Sequence, residues 1–346
     1  MFTIITDTSA NLDRRWLEEH NVLAIPFHYF VKGQDCTCLE TESFDGASFY
    51  NAMRAGEKVT TSQITPQAYH DMMRPVLERG EDILYVSMSS GISGSYSQAE
   101  FSARELREEF PDRKIYTVDT LSASLGEGLQ VARAVECRDR GESLEDTYEL
   151  LMKIRHPMCQ VFTVDDLKYL RNTGRLSNMA AIVGMVLNIK PLLKGNTEGK
   201  IVSFAKIRGR RRALMGIAEQ YDKLVRDADQ QTIGIAHADC QEDVDYLVSL
   251  LRANHPPKEI MTVMYEPVTG SHVGPGALAL FFMSAEGVRS FGNEGVTGGM
   301  KEAMAVGEAA LMGSLKLGEN VVKTTLKKGS NAAATLSEKL RERRDK

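Results

Sequence analysis

The stretch ILYVSMSSGISGS, residues 83–95, decides the fold class of this chain. Its first four residues are an uninterrupted apolar run, which predicts a buried strand. A loop of serines and glycines follows over residues 89–95, and then Phe101, Leu106 and Phe110 recur at roughly helical spacing. Backbone N–H groups, hydroxyls and a helix N-terminus meet in such a loop, which favours a carboxylate or phosphate ligand. A well-capped helix after a tight turn is the alternative interpretation.

The loop matches neither of two catalytic motifs that it resembles at first sight. No Gly-Lys-Ser/Thr follows at the required spacing, so the loop is not a P-loop for nucleotide phosphates. Ser95 stands where the Gly-x-Ser-x-Gly nucleophile elbow requires glycine, so a strained catalytic serine is not specified. We therefore interpret these serines as hydrogen-bond donors rather than as nucleophiles.

Composition and charge narrow the class of protein. The 346 residues are 42% hydrophobic and 26% charged, which is typical of a globular protein, and the length favours two domains. A net charge of −5 argues against nucleic acid or an anionic membrane as a general partner. No apolar run approaches the ~20 residues that span a bilayer, and the N-terminus resembles a first strand rather than a signal peptide. We expect a cytoplasmic protein.

The five cysteines give little support for a metal site. Cys36 and Cys38 are the only close pair, and no second Cys or His pair lies at zinc-ligand spacing. Reduced thiols are the expectation for a cytoplasmic protein. We expect neither a metal nor a cofactor.

The chain divides into three parts. Strand and helix patterns alternate over residues 1–156, which predicts an N-terminal α/β domain with a mostly parallel sheet and helices on both faces. Residues 157–286 change character and predict a C-terminal α+β domain. Residues 287–346, with apolar positions at helical density, predict a helical extension. It should pack on the body of the chain, on a second subunit, or on a membrane interface as a transient contact.

Four segments carry more specific expectations. Residues 22–31 predict one extended run, and Thr65-Pro66 predicts the start of a helix. Residues 177–187 predict a strongly apolar helix, and residues 270–277 predict a glycine-rich loop around His272.

Polar strings follow three strands of the predicted parallel sheet. They are Thr6-Asp7-Thr8, residues 89–95, and Asp119 to Ser122. Ligands of such sheets bind beyond the carboxyl ends of the strands. The sequence therefore predicts one polar edge that binds a ligand.

Seven short strings, taken together and in order, resemble the DegV family of bacterial fatty-acid-binding proteins. The resemblance covers roughly residues 1 to 284, and Asn11 departs from the usual aspartate of the first string. The strings are Thr6-Asp7-Thr8-Ser9-Ala10, Thr61-Ser62-Gln63 before Pro66, Ser89 to Tyr96, Asp119-Thr120 with Ser122, Ser124 and Gly126, Leu167 to Ser177, Arg208-Gly209-Arg210, and His272-Val273-Gly274-Pro275-Gly276.

The resemblance implies a carrier rather than an enzyme. A long-chain fatty acid would lie in a tunnel between the domains, and its carboxylate would be presented to the catalytic subunit of fatty acid kinase. That subunit would form the acyl phosphate used in phospholipid synthesis. The residues that the resemblance assigns to the carboxylate are Thr61, Ser62, Ser93, Gly94, His272 and Arg175.

Two other features keep alternatives open. A basic strip, Lys206, Arg208, Arg210 and Arg211, favours docking of an acidic partner such as the kinase, although such strips are usually solvated faces. Ser93 with His272 also permits a serine-dependent hydrolase, but no third orienting group lies at a recognisable spacing. A lipid-sensing regulator is the remaining alternative.

Overall fold

The computed structural model of the protein describes residues 2–39, 43–177, 188–284 and 289. Its strands are β1 (Phe2–Asp7), β2 (Val22–Ile25), β3 (His28–Val31), β4 (Gln34–Thr37), β5 (Val59–Ser62), β6 (Asp82–Ser87), β7 (Ile115–Asp119), β8 (Met158–Thr163), β9 (Ile189–Gly195), β10 (Ile201–Arg208), β11 (Thr232–His237), β12 (Glu259–Met264) and β13 (Leu278–Met283). Its helices are α1 (Arg14–Glu19), α2 (Gly46–Arg54), α3 (Pro66–Glu78), α4 (Ser95–Glu109), α5 (Leu125–Asp139), α6 (Leu144–Ile154), α7 (Lys168–Asn172), α8 (Arg210–Leu224), α9 (Gln241–Asn254) and α10 (Pro267–Val273).

The first sheet is parallel throughout, in the order β2-β1-β6-β7. Successive residues of β6 point to opposite faces of this sheet. Ile83 and Tyr85 pack with residues of α3 and α4, whereas Leu84 and Val86 pack with residues of α5 and α6. Both faces are buried, and this explains why the strand is a continuous apolar run. The predicted α/β class and the polar edge at the ends of β1, β6 and β7 are confirmed.

The second sheet has six strands in the order β10-β9-β8-β13-β11-β12. Helices α8 and α9 cover one face, where Ile217 and Leu247 join its core. The other face carries Phe162 and Phe281, which belong to the same hydrophobic cluster as residues of β1 and α5. The described residues form one compact unit. The boundary between domains at residue 157 therefore stays a prediction, although β8 begins the second sheet at that point.

A third, antiparallel sheet in the order β4-β3-β5 corrects one prediction. Residues 22–31 are two strands rather than one extended run. Pro26 lies between them and has no N–H for a sheet ladder, so β2 ends and β3 joins a different sheet. Strand β5, the other neighbour of β3, carries Thr61.

The glycine-rich loop predicted over residues 270–277 is wrong in its first half, because α10 extends to Val273. Glu266 caps this helix: its carboxylate accepts hydrogen bonds from the N–H groups of Val268 and Thr269 at 2.5 and 2.6 Å. Pro267 occupies the first turn, a favourable position. Gly274, with φ of 80°, ends the helix. His272 therefore lies on the last turn of a helix.

Two predicted elements fall outside the described residues. They are the apolar helix over residues 177–187, apart from Ser177, and the extension over residues 287–346, apart from Arg289. Across residues 2–39, 43–177, 188–284 and 289, no helix has the length and apolar character needed to cross a membrane. In the same residues, no three His, Cys, Asp or Glu side chains are grouped as metal ligands.

Candidate functional site

A cavity of about 260 Å³ lies where the inner face of the six-stranded sheet meets the polar edge of the parallel sheet and the helix α10. Its walls are mostly apolar side chains from these elements. The apolar residues are Phe27, Met88, Ile92, Ala123, Phe162, Leu170, Ile201, Val268, Val273, Ala279 and Phe281. Such a surface favours burial of a hydrocarbon group.

The cavity extends along β13. His272 and Val273 line it where α10 leads towards that strand, and Ala279 and Phe281 line it farther along. The register of β13, β8 and β9 places Phe281 beside Gln160 and Gln160 close to Gly195, both of which line the cavity too. The five residues from Ala277 to Phe281 span about 14 Å of extended chain. We call the part at His272 the α10 end and the part at Gln160 the β13 end.

Thr61 and His272 form the central polar pair of the α10 end. Strand β5 and helix α10 bring Thr61 Oγ1 within 2.9 Å of His272 Nε2. Burial, together with the positive charge of Arg175, lowers the pKa of His272 to about 4, so the imidazole is neutral at neutral pH. When the Thr61 hydroxyl donates to Nε2, Nδ1 carries the proton. Nδ1 is buried and has no hydrogen-bond partner among the described residues, so it is available to a ligand oxygen.

Thr269 belongs to the same site and was not among the predicted residues. It lies three residues before His272 on α10 and lines the cavity. Its Oγ1 is buried and lacks a hydrogen-bond partner within the part of the chain that the structure describes. The i, i+3 spacing on a helix places the two side chains on one face. That spacing identifies Thr269 once α10 is known to be a helix.

Ser62, Ser93 and Arg175 also line the cavity, whereas Gly94 does not. The Ser93 hydroxyl donates to Ser95 Oγ at 3.1 Å. Burial lowers the pKa of Arg175, whose Nε donates to the carbonyl of Ile92. Gly94 is instead the residue that precedes α4, and its α-carbon lies against the Gln63 side chain. The structure thus brings together five of the six predicted head-group residues.

The other serines of the 89–95 loop serve the fold. Ser89 Oγ donates to the carbonyl of Gly199 at 2.9 Å, and Ser90 Oγ donates to Asp119 at 2.5 Å. These bonds fix the loop to the β9–β10 turn and to the end of β7. They leave Ser93 as the hydroxyl of the loop that lines the cavity.

The first polar string forms a buried carboxylate cluster instead of a cavity wall. Ser9 Oγ lies within hydrogen-bond distance of both Asp7 and Glu127, and Tyr85 donates to Asp7 at 3.1 Å. Burial raises the pKa of both carboxyl groups, and the nearby Asp7 raises the pKa of Glu127 further.

The predicted docking strip is only partly available. Lys206 and Arg208 are exposed on β10, an edge strand, and Arg211 is exposed with its guanidinium 3.9 Å from the centre of the Tyr246 ring. Arg210 must be removed from the strip. Its guanidinium lies 2.8 Å from Asp243 and 3.6 Å from Asp165, so its charge is already paired.

The fold and the cavity define a class, an α/β protein with a ligand-sized, mostly apolar cavity that has a buried polar pair at its α10 end. A sequence profile for uncharacterised proteins of the DegV family matches residues 1–285. A DegV domain-containing protein of Clostridium perfringens is 35% identical over 289 residues, which cover 82% of this chain and 97% of that protein. The chain belongs to the DegV family.

Solved structures of the family share this fold. A DegV family protein of Thermus thermophilus, described for its fatty acid binding, gives a TM-score of 0.75 at 26% identity over 82% of this chain and 99% of that one. A fatty acid binding DegV family protein of Streptococcus agalactiae gives 0.73 at 28% identity over 83% and 99%. The family and the fold that the sequence motifs indicated are confirmed.

Proposed function

We propose that the protein binds a long-chain fatty acid in the cavity, with the carboxyl group at the α10 end and the hydrocarbon chain towards the β13 end. The observation that carries this proposal is a pair of buried polar atoms, His272 Nδ1 and Thr269 Oγ1, that have no hydrogen-bond partner among the described residues and lie at one end of a mostly apolar cavity. A buried polar atom without a partner costs roughly 1–3 kcal/mol. A ligand oxygen at this end removes that cost.

The magnitudes separate the roles of the two ends. Burial of a hydrocarbon chain of about 16 carbons contributes on the order of 10 kcal/mol at ~0.8 kcal/mol per CH₂, before ordering costs. Each hydrogen bond to a charged head group contributes only ~1.5–3 kcal/mol. The hydrocarbon chain of the ligand therefore determines the affinity, and the polar residues determine which end of the ligand is presented.

We further propose that the protein, in the cytoplasm and without a cofactor, presents this carboxyl group to a partner kinase. The kinase would form the acyl phosphate, and the exposed Lys206, Arg208 and Arg211 would dock an acidic surface of that partner. No catalytic residue is assigned to this chain. The hydrolase alternative is not favoured, because His272 Nε2 bonds Thr61 and Ser93 bonds Ser95.

Lipid analysis of the purified protein tests the binding proposal. We expect mass spectrometry to detect close to one fatty acid per chain. Ser93→Ala with His272→Ala should lower this content and abolish phosphorylation of the bound acid by the kinase. Ser97→Ala with His255→Gln, at exposed positions, is the matched control. A double variant with wild-type lipid content and phosphorylation would refute the head-group assignment, and turnover of an ester would support the hydrolase.

Thr269→Val is the more incisive variant, because it removes an unpartnered hydroxyl at almost constant volume. The stability of the lipid-free protein should change little, since Thr269 Oγ1 forms no hydrogen bond of normal geometry within the described residues and only lies near the carboxylate of Glu266. Fatty acid affinity should fall several-fold. If binding is unaffected, Thr269 does not contact the ligand.

Charge reversal tests the docking surface separately. Arg208→Glu with Arg211→Glu should slow association with the kinase, most strongly at low ionic strength, and leave the fatty acid content unchanged. Lys153→Glu with Arg252→Glu reverses two exposed charges elsewhere and serves as the control. An association rate equal to that of the control would contradict this docking surface.

A further inference from the structure

Arg289 is a buried charge that the proposed function does not use. Only 3% of its surface is exposed. It lies four residues beyond the part of the chain that the family profile matches, which ends at residue 285. Arginine is rarely buried to this extent unless its donors are bonded. Its hydrogen bonds therefore indicate what the residue does.

The guanidinium joins two parts of the fold that meet at the β13 end of the cavity. Nη1 donates to the carbonyl of Leu121 at 2.8 Å, and Nη2 donates to Ser122 Oγ at 3.1 Å, both in the loop after β7. Nη1 is also 3.4 Å from the carbonyl of Asn196, in the turn after β9. Nε donates to the carbonyl of Arg155 at 3.0 Å. Arg289 thus connects the loop of the parallel sheet to the turn of the six-stranded sheet.

These contacts place Arg289 directly behind the cavity wall. Ser122, Gln160 and Gly195 line the cavity at this end. A Cβ on Gly195 would lie 2.9 Å from Arg289 Nη1, so no space separates the guanidinium from that part of the wall. These acceptors hold the guanidinium in place, because displacing it would break its hydrogen bonds to all of them.

A second, very small cavity of about 10 Å³ lies on the other side of this wall. It shares Gln160 and Gly195 with the main cavity, and Arg289 itself lines it. Its remaining wall is largely apolar, with Met158, Val161, Phe204 and Leu224. Arg289 and Gln160 therefore stand between the main cavity and further apolar space.

We propose that Arg289 closes the β13 end of the cavity and sets the longest acyl chain that the protein accepts. This inference rests on the proposed binding of a fatty acid with its carboxyl group at the α10 end. The limit on acyl chain length is steric, because the guanidinium fills the space that additional methylene groups would need. Arg289 lies outside the residues that the family profile matches, so the profile itself does not account for this limit.

The test uses the full-length protein and an equimolar mixture of saturated fatty acids from 14 to 22 carbons, with the bound acids quantified by mass spectrometry. Arg289→Ala opens the space, whereas Arg289→Met removes the charge but retains most of the volume. Each added methylene that becomes buried should raise affinity about fourfold. Relative to wild type, Arg289→Ala should therefore favour acids two carbons longer by about sixteenfold, and Arg289→Met should keep the wild-type profile.

Gln160→Ala opens the same wall of the cavity without removing the arginine. It provides the test if Arg289→Ala does not fold. A shift to longer acids in either folded opening variant supports the inference. Wild-type length profiles in both overturn it and leave fatty acid binding itself intact. An equal shift in Arg289→Met overturns the steric explanation. A wild-type protein that binds none of these acids refutes the proposed function, which is a different result from an unchanged profile.

Discussion

Replacing His272 by glutamine should reduce the acid sensitivity of the lipid-free protein. In the folded chain the pKa of His272 is lowered from 6.5 to about 4, first by burial and then by the charge of Arg175. The unfolded chain binds a proton near pH 6.5 and the folded chain does not, so stability falls as the pH decreases from about 6.5 to about 4. At pH 5 the loss amounts to about 2 kcal/mol relative to pH 7.5.

Urea unfolding at pH 7.5, 6 and 5 measures this contribution. Glutamine does not titrate, so the difference in unfolding free energy between pH 7.5 and 5 should shrink by about 2 kcal/mol in His272→Gln. The lost bond to Thr61 lowers stability equally at each pH, and it therefore cancels in the difference. His255→Gln replaces a half-exposed imidazole and provides the control. The reasoning is refuted if His272→Gln and wild type lose the same free energy over this pH range.

Two further substitutions test the contacts that position α10. Asn11→Asp should lower the unfolding free energy by roughly 1–3 kcal/mol in urea titrations, because Asn11 Nδ2 donates to the carbonyl of Met264 at 3.0 Å and a carboxylate cannot donate. Asn51→Asp, at an exposed position, is the control and should have little effect. Equal losses of stability in the two variants would contradict a stabilising role of the Asn11 hydrogen bond. Gly270→Ala should destabilise the protein by about 1–3 kcal/mol and weaken fatty acid binding, because the new Cβ would overlap the Tyr50 hydroxyl and displace the helix α10. If stability and fatty acid affinity both stay at their wild-type values, the helix accommodates the methyl group and this reasoning is wrong.

The parallel sheet was predictable because its signals are local. The apolar run of β6 and the serine–glycine loop that follows specify a buried strand and its carboxyl end, and neighbouring strands repeat the pattern. Helix α3 was equally clear, since Thr65 caps it and Pro66 opens it. In each case a few adjacent residues contain the whole signal.

Helix α10 was missed because its start signal is unusual. Its N-cap is Glu266, whereas the common N-cap residues are serine, threonine, aspartate and asparagine. Gly270 and Gly274 within and after the helix then favour a loop. Gly270 is explained only by the approach of Tyr50 from α2, a contact across 220 residues that no local pattern records.

The partners of charged residues were also not predictable from local sequence. Arg210 belongs to a basic run in the sequence, yet Asp165 and Asp243 neutralise it from distant elements. Arg289 lies in a segment whose pattern predicts only an extension, yet four acceptors of the folded body bind it. The sequence gives the charge of a side chain, but the fold determines which residues pair with it.

The buried polar atoms at the α10 end explain how the fold favours ligand binding. His272 Nδ1 and Thr269 Oγ1 are buried without hydrogen-bond partners among the described residues, at a cost of roughly 1–3 kcal/mol each. The capping of α10 by Glu266 and the bond between Thr61 and His272 hold both side chains at this cost. A ligand that supplies the missing partner stabilises the folded state in proportion to its occupancy. These two atoms therefore lie where a head group can supply the hydrogen bonds that the described protein does not.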